Sequence, residues 1–184
     1  MDDYNDHESI QLSDILAIAK YRTLGICKAL GIERERFRDW VKSRPGFIKP
    51  TLPAMGQGTK AGFTLGDVYA IALFKKMTET GFKRELSADI VSNFMGIVSG
   101  NPIEFIQYLI CIVKTNPENG EQNTTISMIM RGDGLDTLDI HLNSKAVKFD
   151  VPVDMDDLGW EGMFIFNIVQ LRQSVDLALS NAGL

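Results

Sequence analysis

The chain has 184 residues, 45% hydrophobic and 23% charged, with net charge −5 and two cysteines, enough for one domain or two small ones with a real core. No apolar run approaches the ~20 residues of a membrane span, so no membrane association is expected. Cys27 and Cys111 stand far apart without companions, a pattern that fits reduced, buried thiols and a cytoplasmic protein rather than a disulfide framework.

The mean charge conceals a separation into blocks. Residues 1–19 carry five acids and no Lys or Arg; residues 20–86 carry fourteen bases against six acids; residues 87–184 carry five bases against thirteen acids. Separation of this size is an argument about partners, and it points to a polyanion for the middle block alone.

In chain order, residues 1–8 read as a disordered acidic tail; the opening "MDDYNDHESI" resembles neither a secretion signal nor a transit peptide. Residues 9–21 suggest a short amphipathic helix with Ile15, Leu16, Ile18 and Ala19 inward. From Thr23 to about Gly100 the spacing is helical, interrupted by a Pro- and Gly-rich patch at 45–62. "FIQYLICIVKT", "TTISMIMR" and "LDTLDIHLN" then read as strands, with Asp133–Gly134 as a hairpin signal between two of them. Phe164, Ile168, Leu171, Val175 and Leu179 return to spacings of three and four, which predicts a helix over about 161–181. The expected fold class is α+β: an N-terminal winged helix-turn-helix domain at 9–98, then a small antiparallel sheet with a C-terminal helix at 99–184.

The basic block explains the first of those domains. Two short helices crossing steeply need a glycine at the turn and a small residue near it. Gly31 and Cys27 meet that need, and Ile26, Leu30, Ile32, Phe37 and Trp40 are the inward positions around them. The second helix keeps Glu33, Arg34, Arg36, Arg38 and Lys42 for its outward face. Such a helix can enter a major groove, where Arg pairs with guanine and Lys or Arg neutralises phosphate. "RPGFIKP" and "GQGTKAGFT" read as two short strands joined by a loop, and Thr64 with Asp67 as a capping box for the helix that follows.

Residues 23–95 resemble the DNA-binding domain of the MerR family of transcription regulators. The resemblance rests on Thr23–Leu24–Gly25, Gly31–Ile32, Phe37–Arg38–Asp39–Trp40, Gly46–Phe47–Ile48–Lys49–Pro50, Gly58 to Thr64, Asp67–Val68 and Gly81–Phe82. It implies a homodimer that binds double-stranded DNA at a pseudo-palindromic site through recognition helix and wing. Carried over by residue, it makes Arg34, Arg36 and Arg38 candidates for groove and phosphate contacts, and Lys42, Lys49 and Lys60 candidates for phosphate. Thr23 would cap the first helix and offer its N-terminal N–H groups to a phosphate. Trp40 would pack the helix against the wing or reach the backbone through its indole N–H. The chain departs from the family at Asp39, at Val41 and in a longer wing loop, and an acidic strand-rich segment replaces the long dimerising helix. The family's promoter untwisting and metal sensing are therefore not carried over.

Other chemistries fit poorly. Gly56-x-Gly58-x-x-Ala61 matches a dinucleotide-binding string, but no βαβ pattern surrounds it. Asp154-x-Asp156 with Gly159 resembles half a calcium loop, yet Leu158 and Ile165 stand where oxygen ligands are required. No catalytic residue, cofactor or metal is expected, and no enzyme. The second segment suits dimerisation, with an effector pocket as the other option; RNA polymerase or a small effector are further candidate partners. The expected function is a sequence-specific, homodimeric DNA-binding regulator. The alternative is a protein-interaction adaptor that uses the winged-helix scaffold without DNA.

Overall fold

The computed structural model describes residues 18–42, 47–54, 56, 60–98, 103, 106–115, 122–130, 140–142, 145–147 and 160–184. The expected acidic tail, most of the helix over 9–21, the Asp133–Gly134 hairpin and the calcium-like segment lie outside them. The chain is α+β and divides into two units, 1–76 with 175–184, and 77–174.

The first unit begins with α1 (Thr23–Leu30) and α2 (Arg34–Lys42). Gly31 ends α1 with φ 61°, a left-handed conformation that glycine adopts without a Cβ penalty, and the Ile32 N–H closes back on the Cys27 carbonyl at 2.9 Å. This closure turns the chain within three residues and buries Ile26, Cys27 and Ile32 on its inner side. On α2 the buried positions are Phe37 and Trp40, three apart and so on one face. Phe37 meets Phe63 edge-on at 5.7 Å between ring centroids. Trp40, fully buried, meets Phe74 of α3 (Leu65–Glu79) at 5.0 Å. Its carbonyl accepts from the N–H groups of Phe47 and Ile48 at 2.9 and 3.2 Å, so the chain beyond α2 is drawn back against the helix end.

α3 starts as the Thr64–Asp67 pattern predicts. The Thr64 N–H donates to Asp67 Oδ2 at 2.8 Å, and the Asp67 N–H donates to Thr64 Oγ1 at 3.1 Å. Val68, Ile71, Ala72, Phe74 and Met77 are all buried, as that spacing requires. The helix expected over 9–21 does not reach its far end: Tyr21 is extended and exchanges hydrogen bonds with Phe63, both 3.0 Å. Pairing with a distant aromatic residue has overridden the helical spacing there. Between 47 and 64 the expected pair of strands is reduced, among the described residues, to one antiparallel bridge between Leu52 and Gly62. The C-terminal segment contributes Val175 and Leu179 to burial, and the Tyr69 hydroxyl donates to Asp176 Oδ1 at 2.6 Å.

The second unit holds α4 (Arg84–Val98), β1 (Ile106–Thr115), β2 (Gln122–Met130), β3 (Ile140–Leu142), β4 (Lys145–Val147) and β5 (Trp160–Asn167). Its main sheet runs β2-β1-β5, antiparallel throughout, and β3 pairs with β4 separately. β1 is the middle strand, and Ile106, Leu109, Ile110 and Cys111 are buried on both of its faces. Phe82 packs edge-on against Phe164 at 4.4 Å. The strands expected at 105–115 and 124–131 are present as β1 and β2.

The helix expected over 161–181 is shorter, because residues 160–167 form β5 and α5 spans Ile168–Asn181. Asn167 sets the boundary: its side-chain oxygen accepts from the Gln170 N–H at 2.9 Å, an N-cap that starts the helix one residue later. Phe164 continues the apolar spacing of α5 by coincidence and belongs to the ladder with β1, opposite Cys111.

Burial pushes the Cys111 thiol up to about 12, against 9.0 for a free thiol. A neutral thiol favoured by the fold gives stability that is complete below pH 9 and is lost as pH rises toward 12. Urea unfolding should therefore show the wild type losing on the order of 1 kcal/mol from this group between pH 8 and 10. Cys111→Ala should lack that part of the pH dependence.

Candidate functional site

The site is assembled on α2. At 3.6 residues per turn each residue advances about 100° around the axis, so steps of four advance about 40°. Arg34, Arg38 and Lys42 therefore form one stripe about 80° wide and about 12 Å long. All three are exposed, and the stripe leaves the Phe37 and Trp40 positions to the core. The stripe is not purely basic: Glu35 and Asp39 run beside it, and Glu35 lies 3.9 Å from the Arg38 guanidinium. That exposed pair is worth little and yields readily to a stronger anion.

The remaining residues expected at the site divide into three groups. Arg36 is exposed but sits about 160° around the helix from Arg34 and Arg38. Its guanidinium covers the Trp40 ring at 5.1 Å, one turn on, so the three arginines do not share one face. Trp40 itself has 0% exposure. Its ring packs edge-on against Phe74 of α3. Thr23 is the first residue of α1 and not its cap; Arg22 holds the N-cap position in extended backbone with no side-chain cap bond. Lys49 and Lys60 are both exposed, on either side of the Leu52–Gly62 bridge.

Two residues position the site: Arg22, which sequence reasoning did not single out, and Asp67, expected only as a cap. Arg22 Nη1 donates to the carbonyls of Ala61 and Lys60 at 3.3 and 3.5 Å, tying the start of α1 to the segment that carries Lys60. Asp67 does more than cap α3: Oδ2 also accepts from Thr51 Oγ1 at 2.7 Å and from the Thr51 N–H at 3.2 Å. One carboxylate thus holds both the start of α3 and the loop beside Lys49. An Arg at a helix boundary signals a possible anchor, but its target 38 or 39 residues away is invisible in the sequence.

Arg34 also acts on the core beneath it. Burial raises the Cys27 thiol, and the nearby Arg34 charge opposes that rise. A buried neutral thiol there is a small hydrophobe that allows close helix approach. Among the described residues no group of three or more His, Cys, Asp or Glu could hold a metal ion, and no helix is long and apolar enough to cross a membrane. No protein-family model matches the chain, and no curated protein matches it.

Gly62 is the tightest point of the arrangement. A Cβ there would lie 2.6 Å from the Ala19 carbonyl oxygen and 2.7 Å from Arg22 Nη1. Gly62→Ala is expected to cost about 1–3 kcal/mol, the range for forced overpacking, as read by chemical denaturation. At Gly25 the close atoms are only the tip of the Leu184 side chain, so Gly25→Ala should cost clearly less in the same assay.

Proposed function

We propose that the first unit is a MerR-like winged helix-turn-helix that binds double-stranded DNA, and that the protein is a sequence-specific, homodimeric transcription regulator. The observation that carries this reading is the exposed Arg34–Arg38–Lys42 stripe, on a helix anchored in the core by Phe37 and Trp40. α2 follows α1 through a tight glycine turn, which supports reading the pair as a helix-turn-helix. The bridge between Leu52 and Gly62, with Tyr21 pairing alongside at Phe63, supports reading residues 47–63 as the wing. On that reading the exposed Lys49 and Lys60 add phosphate contacts from the wing, while the Arg36 guanidinium covers the Trp40 ring.

Groove reading falls to Arg34 and Arg38, whose planar guanidinium groups can take two acceptors of a guanine at once. Lys42 acts as a point charge on phosphate. The N-terminal N–H groups of α1 are a further place for a phosphate oxygen, with Thr23 in the first turn. The homodimer is carried by the family resemblance alone, and sedimentation velocity tests it. A protein-binding adaptor remains the competing reading, and the stripe variants below separate the two.

Duplex affinity, followed by fluorescence anisotropy, is expected to fall with salt along a log–log slope of about −0.9 for each phosphate neutralised. Arg38→Ala and Arg34→Ala should each weaken a preferred site by about 1–3 kcal/mol where they meet a base. Lys42→Ala should reduce the slope by about 1 across all sequences. Arg36→Ala should leave the slope unchanged. An affinity indifferent to all three stripe residues would remove the basis of the reading.

A further inference from the structure

The exposed face of α2 carries acids as well as bases, and their angular order decides what the helix can meet. Phe37 and Trp40 fix the inward direction. At about 100° per residue, Glu35 lies about 160° from Phe37 and about 140° from Trp40, within about 10° of the line pointing straight away from the core. Arg38 lies about 60° to one side of Glu35 and about 4.5 Å further along the axis. The Glu35 side chain is 75% exposed and that of Arg38 56%, with 3.9 Å between Glu35 Oε1 and Arg38 Nη2. A helix held in this orientation cannot present Arg38 to a duplex without carrying Glu35 in beside it.

A carboxylate in that position limits which DNA the helix can accept. It repels phosphate, and taken out of water without a donor it costs free energy. An ionised carboxylate accepts hydrogen bonds and donates none. On the major-groove edge guanine offers acceptors, thymine an acceptor and a methyl group, and adenine a donor beside an acceptor; cytosine alone offers an amine with no acceptor next to it. We propose that Glu35 is a specificity-determining residue, its carboxylate accepting from the N4 amine of a cytosine in the base pair adjoining a guanine taken by Arg38. The inference rests on the reading of α2 as a DNA-recognition helix. The 3.9 Å between the two charged groups matches the step of about 3.4 Å from one stacked base to the next. Giving up the exposed Glu35–Arg38 pair for these contacts costs little. Any other base at that position sets the carboxylate against an acceptor or a methyl group, so Glu35 acts largely by rejecting wrong sites.

Selection of bound sequences from random duplex DNA, run on the full chain as wild type, Arg38→Ala, Glu35→Gln and Glu35→Ala, tests this. The guanine that disappears with Arg38→Ala marks the position Arg38 reads. The wild type should show a cytosine in the adjoining pair. Its affinity for the selected site, by fluorescence anisotropy, should fall at least about fivefold when adenine replaces that cytosine, the lower end for one base contact. Glu35→Gln should prefer adenine there instead, because a Gln amide can meet N6 and N7 together. Glu35→Ala should accept all four bases there and keep the guanine. A wild type that binds duplex with no preference at that pair overturns the inference and leaves the DNA reading standing. So does a cytosine preference that survives in both Glu35 variants. Loss of the guanine alone would show that Glu35 acts only by holding Arg38, and overturns it as well. A wild type that binds no duplex at all removes the DNA reading, and this inference with it.

Discussion

The packing of Trp40 on Phe74 and of Phe37 on Phe63 sets the rotation of α2 about its own axis. A nine-residue helix with four basic and two acidic side chains has no core to seek through its charges. Its two large aromatic residues, three apart, supply the hydrophobic attachment, each worth about 1.5–3 kcal/mol of burial. Once they are seated, the arginines and lysine spaced by four must point outward together. The orientation of the charged face is thus a by-product of aromatic burial, and loss of either ring would free the helix to roll.

The surroundings of α2 are held by a few polar groups that each serve more than one segment. Asp67 caps α3 and restrains Thr51, while Arg22 begins α1 and grips the strand-like stretch at 60–62. Bonds of this kind are modest singly. Their value lies in tying the start of α1 to the segment that carries Lys60, and the start of α3 to the loop beside Lys49.

Much of this was legible in the sequence, because it depends on short-range chemistry. The Gly31 turn, the Thr64–Asp67 box and the apolar spacing of α3 are local patterns, and the structure shows each of them. β1 and β2 were readable from runs of β-branched residues. What escaped depends on partners distant in the chain. Residues 160–167 pair with β1 some fifty positions earlier, so the spacing from Phe164 to Ile168 misled. Tyr21 pairs with Phe63 against its helical surroundings. Arg36 looked equivalent to Arg34 and Arg38 in a list of bases, and only the position of Trp40 separates it from them. The return of 175–184 to the first unit, with Leu184 over Gly25, has no local signal at all.

The two hydrogen bonds between Leu52 and Gly62, at 3.0 and 2.8 Å, fasten both feet of the stretch from 53 to 61. Doubling the length of a flexible segment whose ends are already joined costs only about 0.6 kcal/mol. Added length between those feet therefore costs little in closure entropy. The joint itself is where change tells: Leu52 and Gly62 hold both ends, and Gly62 has no room for a Cβ.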